Sequence, residues 1–137
     1  MGRIFGTDGV RGIANTELSC KLVMNVGRAA AMVVAEQIGR KPVILIGKDT
    51  RISSDMLEAA LAAGLTSVGA DVILAGVVPT PALSCLVVKS HADAGIMLSA
   101  SHNPYEYNGI KIFGPEGIKL PDAAEFEIEQ IVLDKVK

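Results

Sequence analysis

The hydrophobic residues of this chain fall into two kinds of pattern that alternate along the sequence. Three short runs, at residues 43–46, 72–75 and 95–98, are continuously apolar and rich in β-branched side chains. Runs of this kind are typical of strands that are buried on both faces, as in a parallel sheet covered by helices. We therefore predict three buried strands.

The stretches between these runs place apolar residues at helical spacing. The first helix is predicted to begin after Ser19, a suitable N-cap, and to end at Gly39, a suitable C-cap. A second helix is predicted from Ser54 through Leu65, and a short third helix after Pro81. These helices would cover the predicted strands.

The last third of the chain predicts one more strand and one more helix. Residues 108–113 alternate, with Ile110 and Ile112 on one face, which indicates a one-sided strand near an edge. A helix opening at Pro121 and Asp122 would bury Phe126, Ile128, Ile131 and Val132. The order of elements predicts an α/β fold, namely a layered α/β/α domain with a mixed, mostly parallel sheet.

Composition narrows the class of protein. A length of 137 residues predicts a single domain, residues 1–137. With 50% hydrophobic and 20% charged residues the chain is not disordered, and a net charge of −2 disfavours a nucleic-acid partner. No apolar run approaches the ~20 residues of a membrane-spanning helix, so we expect a cytoplasmic protein without a membrane partner. Cys20 and Cys85 are predicted to be buried, reduced thiols.

Three polar segments interrupt the apolar pattern. They are residues 6–12 (GTDGVRG), 47–51 (GKDTR) and 99–104 (SASHNP). The second and third follow directly on predicted buried strands. Because open α/β sheets bind ligands beyond the carboxyl ends of their strands, we predict a binding site where these segments meet.

The first two segments share a chemistry that suits phosphate. Each places an aspartate two residues after a glycine and an arginine soon afterwards, and an arginine oriented by a carboxylate can bind phosphate with two hydrogen bonds. Arg11, Asp49 and Arg51 are therefore candidate phosphate-binding residues. A turn with a surface ion pair is the alternative interpretation of both segments.

The third segment adds a candidate nucleophile. The turn-forming pair Asn103-Pro104 would project Ser101 from the end of a strand, where it could act as a nucleophile or carry a phosphoryl group. His102 and Lys111 are candidate general acids or bases. A Ser-His-Asp hydrolase is disfavoured, because serine and histidine are adjacent and no Gly-x-Ser-x-Gly motif exists. The alternatives are that Ser101 caps a turn, that His102 is a surface imidazole and that Lys111 is a solvated charge at an edge.

Three motifs stand at residues 5–12 (FGTDGVRG), 99–104 (SASHNP) and 108–111 (NGIK). Together they resemble the N-terminal domain of the α-D-phosphohexomutases. The resemblance covers the whole chain, and the opening motif is typical of the branch that isomerises glucosamine phosphates on the route to UDP-N-acetylglucosamine and peptidoglycan. It implies that Ser101 is a phosphoserine that donates its phosphoryl group, through a bisphosphorylated sugar. It also implies that Lys111, rather than His102, is the general acid or base. The substrate and phosphate ligands implied here are Thr7, Arg11, Asp49, Arg51 and Asn103.

The resemblance further implies one Mg²⁺ ion, bound through the phosphate on Ser101. The Asp-Gly-Asp-Gly-Asp-Arg metal motif of the family is absent from this sequence, as are its later sugar-binding and phosphate-binding loops. The chain is therefore similar to the first of four domains, and we expect it to be inactive alone, with the remaining domains and a second copy of the chain as partners. A phosphomannomutase or phosphoglucomutase domain and a non-catalytic phosphate-binding or dimerisation module stay open as alternatives.

Overall fold

Residues 4–6, 9–100 and 103–134 are described by a computed structural model of the chain. The strands are β1 (Val10–Ile13), β2 (Val43–Lys48), β3 (Asp71–Val77), β4 (Ala94–Leu98) and β5 (Tyr107–Phe113). The helices are α1 (Cys20–Ile38), α2 (Ser54–Ser67), α3 (Thr80–Lys89) and α4 (Asp122–Asp134). Every strand and helix predicted from the apolar pattern is present, with small shifts at the ends.

The strands form one mixed sheet in the order β1-β5-β4-β2-β3. Strand β2 runs parallel to both β3 and β4, whereas β5 is antiparallel to its neighbours β4 and β1. Helices α1, α2 and α4 pack on one face of the sheet, and α3 packs on the other. Each face of the sheet has its own hydrophobic cluster beneath these helices. The predicted α/β/α fold with a mixed sheet is confirmed.

Local sequence signals account for the ends of the helices. The Ser19 side chain accepts a hydrogen bond of 3.1 Å from the Leu22 amide and so caps α1, as predicted. Gly39 ends the same helix in the left-handed conformation, with φ of 70°. Pro81 lies inside the first turn of α3, where its missing amide hydrogen costs nothing. The helix therefore begins at Thr80, before the proline rather than after it as predicted.

Two predictions about the strands were wrong. Strand β3 is not buried on both faces, because it is an edge strand: Ile73 is 45% exposed and Leu74 is 56% exposed. Strand β5 is near an edge as predicted, next to the edge strand β1, but it is not one-sided, because Ile110 and Ile112 belong to one hydrophobic cluster and Phe113 to the other. Strand β1 was not predicted, since it has four residues and lies in the polar opening segment. Whether an apolar strand is buried on both faces depends on its place in the sheet. That place is set by the tertiary structure and not by the apolar pattern.

Exposure also differs from prediction at the two cysteines and on α4. Cys85 is exposed and Cys20 partly buried, although both thiols are free as expected. Phe126 is 59% exposed, while two glutamates of α4, Glu125 and Glu129, are buried instead. The buried face of α4 is therefore rotated relative to the one predicted. None of the helices described has the length and apolar character needed to cross a membrane.

Candidate functional site

The carboxyl ends of β2 and β4 lie side by side and bring two of the polar segments together. Lys48 pairs with Leu98 at the end of the parallel ladder. One residue further, the amide of Asp49 donates a hydrogen bond of 3.0 Å to the carbonyl of Leu98. The segments at residues 47–51 and 99–104 thus leave the sheet at the same edge, where the chain order predicted a site.

Asp49 and Arg51 form the ion pair expected from their spacing. Asp49 Oδ2 accepts a hydrogen bond of 3.0 Å from Arg51 Nε. Its Oδ1 accepts hydrogen bonds of 3.0 Å from the Arg51 amide and from the Ser54 hydroxyl. Burial by itself would raise the pKa of Asp49, but the hydrogen bonds from Arg51, Ser99 and Ser54 outweigh burial and lower it.

The Arg51 guanidinium also reaches across to the segment that follows Ser101. Its Nη1 donates a hydrogen bond of 2.7 Å to the carbonyl of Pro104 and one of 3.1 Å to the carbonyl of Tyr107. The side chain is only 12% exposed. Arg51 therefore binds protein acceptors on two different segments of the chain.

Asn108 supplies a second link between the same segments. Its side chain is fully buried, and Nδ2 donates to the hydroxyls of Ser53 (2.9 Å) and Ser54 (3.1 Å). Its Oδ1 accepts a hydrogen bond of 2.9 Å from the Gly109 amide. Sequence reasoning did not identify Asn108 as a site residue. The signal was a polar amide two residues before Ile110, on the same buried face of the strand.

Arg11 brings the opening segment to the same edge of the sheet. It lies on β1 opposite Gly109, and its Nη1 donates a hydrogen bond of 3.2 Å to the carbonyl of Ala100, the residue before Ser101. Its Nε is buried and has no partner among the described residues. The guanidinium therefore keeps hydrogen-bonding capacity for an oxygen of a ligand.

Lys111 lies on the same face of the sheet as Arg11. It is two residues beyond Gly109, and its neighbour Phe113 belongs to the cluster packed beneath α3. Lys111 Nζ stands 5.8 Å from the centre of the Phe113 ring. Lys111 forms no ion pair among residues 4–6, 9–100 and 103–134, and it lies on the predicted face, opposite Ile110 and Ile112.

Asn103 closes the turn and lines a groove. Its amide donates a hydrogen bond of 3.1 Å to the carbonyl of Ala100. The groove is open, has a volume of about 610 Å³, and is lined by Asp49, Thr50, Arg51, Ile52, Asn103 and Tyr105. Three of the predicted phosphate ligands therefore share one concave surface.

Three predicted site residues, Thr7, Ser101 and His102, lie outside the described residues. Backbone hydrogen bonds join the described residues on either side of them. The Gly6 amide donates a hydrogen bond of 2.9 Å to the carbonyl of Gly9, which brackets Thr7. Arg11 and Asn103 both bind the Ala100 carbonyl, which brackets Ser101 and His102.

A buried glutamate anchors the start of the opening segment. Glu129 of α4 is 4% exposed, and its Oε1 accepts hydrogen bonds from the amides of Ile4 and, at 2.9 Å, Phe5. Sequence reasoning missed this contact because the buried face predicted for α4 consisted of apolar residues only. The link connects α4 to the segment that carries Arg11.

The described residues contain no group of three histidine, cysteine, aspartate or glutamate side chains that could hold a metal ion. The carboxylate at this edge of the sheet, Asp49, is occupied by Arg51 and Ser54. This part of the chain therefore does not form a metal site by itself.

A mixed α/β/α sheet whose polar segments gather two arginines at its carboxyl edge defines a domain suited to binding an anion there. Residues 2–137 match the family model described as phosphoglucomutase/phosphomannomutase, alpha/beta/alpha domain I. The chain belongs to this family, as the sequence motifs indicated.

Similar proteins carry related names. A phosphoglucosamine mutase from Caldicellulosiruptor bescii is 68% identical over 98% of this chain, and one from Clostridium beijerinckii is 60% identical over 96%. A solved phosphoglucomutase/phosphomannomutase family protein from Burkholderia thailandensis is 30% identical, with a TM-score of 0.82 over 96% of this chain. The chain spans about 30% of the length of each of these proteins.

Proposed function

We propose that this chain is the phosphoryl-carrying domain of a phosphoglucosamine mutase. Such an enzyme interconverts glucosamine 6-phosphate and glucosamine 1-phosphate, a step toward UDP-N-acetylglucosamine and peptidoglycan precursors. Relatives with that name are 57% to 68% identical to this chain, which supports the proposal. Because the chain spans about 30% of them, the sugar-binding and metal-binding residues are proposed to lie elsewhere in the enzyme.

One contact carries the proposal: the hydrogen bond from Arg11 to the carbonyl of Ala100, directly before Ser101. A phosphoryl group on Ser101 would add a charge of about −1.5 to −2, which needs a cation close by. Arg11 is anchored next to that position and has a buried Nε without a partner in the described chain. This arrangement suits a guanidinium that stabilises a phosphoserine.

The proposed reaction transfers a phosphoryl group twice. The bond between phosphorus and the Ser101 oxygen breaks while a bond forms between phosphorus and a sugar hydroxyl oxygen. A base takes up the hydroxyl proton and returns it to the serine oxygen; we assign this role to Lys111, with His102 as the alternative. The bisphosphorylated sugar then returns its other phosphoryl group to Ser101. Positioning and charge neutralisation dominate such transfers.

Mg²⁺ is part of the proposal only through the phosphate on Ser101. A magnesium ion there would neutralise charge on the transferring phosphoryl group. Since the described residues offer no metal-binding cluster, its other ligands are proposed to belong to the rest of the enzyme.

The choice of sugar has a second candidate. The similarity to a solved phosphoglucomutase/phosphomannomutase family protein, at 30% identity, favours glucose or mannose phosphates as alternative substrates. The higher identity to the phosphoglucosamine mutases favours glucosamine. Turnover of the three sugar phosphates by the full-length enzyme separates these candidates.

The experiment that tests the proposal is the intact mass of the full-length enzyme after incubation with glucosamine 1,6-bisphosphate. We expect a gain of one phosphoryl group in the wild type and in Ser90→Ala, a control at an exposed serine on the end of α3. We expect no gain in Ser101→Ala, and no turnover when Ser101→Ala is made in the full-length enzyme. Phosphorylation of Ser101→Ala would disprove the assignment, and phosphate binding without a mass gain would favour a non-catalytic module.

A further inference from the structure

Arg11 and Arg51 bind backbone carbonyls that precede and follow residues 101–102 in the sequence. Arg11 binds the carbonyl of Ala100, which precedes Ser101. Arg51 binds the carbonyls of Pro104 and Tyr107, which follow it. The chain that leads into Ser101 and the chain that leaves it are thus each tied to a guanidinium.

The donors of Arg51 are largely used by the protein itself. Nε binds Asp49, and the two hydrogen bonds of Nη1 go to Pro104 and Tyr107, so three of the five guanidinium N–H groups have protein acceptors. The side chain is 12% exposed, which leaves little of it facing a ligand. Arg51 lines the groove, but these three hydrogen bonds are made to the Asp49 carboxylate and to backbone carbonyls rather than into the groove.

We propose that Arg51, oriented by Asp49, is a positioning residue that sets the conformation of residues 103–107, and that it does not bind the substrate phosphate. The Pro104 carbonyl also accepts a hydrogen bond of 3.0 Å from the Tyr107 amide, and Tyr107 is the first residue of β5. Because a carbonyl oxygen has two lone pairs, the largely buried guanidinium can bind both carbonyls and so fix the turn against the start of the strand. Asp49 in turn is held by the Arg51 amide and the Ser54 hydroxyl at the start of α2. Arg51 and Asp49 therefore link the turn at residues 103–107 to Ser54, the first residue of α2.

The catalytic part of this inference rests on the proposed function. Phosphoryl transfer depends on alignment of the attacking and leaving oxygens, and a misplacement of about 1 Å can lower the rate about 10²-fold. A residue that sets the turn after Ser101 would therefore act on turnover without touching the substrate. Its loss should lower kcat much more than it raises KM.

The first experiment measures hydrogen exchange of the 137-residue chain without any ligand. Arg51→Lys and Arg51→Ala should raise amide exchange across residues 103–109 by about tenfold or more, because a lysine cannot form the three-way fork of hydrogen bonds. Arg40→Ala is the matched control, since Arg40 also forms a two-bonded ion pair, with Asp93, near the amino end of β2. It should leave exchange across residues 103–109 unchanged.

Unchanged exchange in both Arg51 variants would overturn the proposal, whatever the enzyme does. If Arg51→Ala fails to fold, Arg51→Lys keeps the charge and provides the same comparison.

The second experiment measures kcat and KM for glucosamine 6-phosphate with the full-length enzyme. A positioning role predicts that Arg51→Lys lowers kcat by about 10²-fold with KM nearly unchanged. A phosphate-binding role predicts instead that Arg51→Lys raises KM more than it lowers kcat, and this result would overturn the proposal. If Ser101 proves not to carry phosphate while exchange responds to Arg51, the proposed function fails but the positioning role of Arg51 stands.

Discussion

The side chain of Arg11 lies directly over Gly109 on the neighbouring strand. A Cβ at Gly109 would stand 2.8 Å from Arg11 Cγ and 2.9 Å from the carbonyl oxygen of Ser99. Both distances are shorter than a carbon atom tolerates, so glycine is needed there for Arg11 to reach the carbonyl of Ala100. The position of the Arg11 guanidinium thus depends on a glycine, which has no side chain, at position 109 of the neighbouring strand.

Gly109→Ala should therefore displace Arg11 and disturb the site. We expect a loss of about 1–3 kcal/mol in the free energy of unfolding, as for other overpacked positions. Phosphorylation of Ser101 should slow in the same variant. The two measurements are urea unfolding of this chain and the intact mass of the full-length enzyme after incubation with glucosamine 1,6-bisphosphate.

Gly114→Ala is the matched control for this prediction. Its added Cβ would meet its nearest neighbours only at 3.8 Å, so it should change stability little. Equal stability of both alanine variants would contradict the close contact between Arg11 and Gly109.

Lys111→Arg tests proton transfer in the full-length enzyme. Arginine keeps the positive charge but does not release a proton in proteins, so a proton-transfer role predicts at least a ~10²-fold loss in turnover. The capacity to hold phosphate on Ser101 should stay close to normal. Rates of sugar isomerisation and the intact mass of the protein provide these two readouts, and turnover within a few-fold of wild type would leave Lys111 with an electrostatic role only.

Asp49 predicts a specific dependence of stability on pH. Although burial opposes ionisation, hydrogen bonds from Arg51, Ser99 and Ser54 lower the pKa of Asp49 below its ordinary value of 3.8. Its contribution to stability is therefore complete above that value and is lost as pH falls through the lower pKa of the folded state. Urea unfolding should show that Asp49→Asn is less stable than wild type near neutral pH, and that the difference shrinks below about pH 4.

Asp71→Asn is the control for the pH prediction. Asp71 is 61% exposed and pairs with Lys41 at the surface, so this substitution should change stability little. A difference between Asp49→Asn and wild type that stays constant down to about pH 2 would contradict the role given to the Asp49 carboxylate.

Glu129 predicts how the opening segment is held. Glu129→Ala removes the acceptor for the buried amides of Ile4 and Phe5 and should lower the free energy of unfolding by about 2–4 kcal/mol. Glu129→Gln keeps an acceptor oxygen and should recover most of that loss. Glu127→Ala, at an exposed position two residues away, should be close to wild type in thermal unfolding. Equal effects of the Glu129 and Glu127 alanine variants would rule out the anchoring contact.

The sequence alone was sufficient to predict the four helices and four of the five strands that the structure describes, and the edge of the sheet where the candidate site lies. Continuous apolar runs and caps such as Ser19 and Gly39 are local signals, and the structure confirms them. The meeting of Asp49 with the segment after Leu98 also followed from chain order, because parallel strands end at the same edge. Membership of the phosphohexomutase family came from short motifs and is confirmed by the match over residues 2–137.

The tertiary structure decided which of these residues touch, and through which atoms. Edge and interior strands such as β3 and β5 differ in their neighbours, which a pattern of apolar residues does not encode. The partners of Arg51 are the carbonyls of Pro104 and Tyr107, and every residue has a carbonyl, so no side-chain type announces such an acceptor. Glu129 is buried for a similar reason, since its partners are backbone amides of a segment 124 residues away. Side-chain chemistry is written in the sequence, whereas contacts between side chains and distant backbone arise only when the chain is folded.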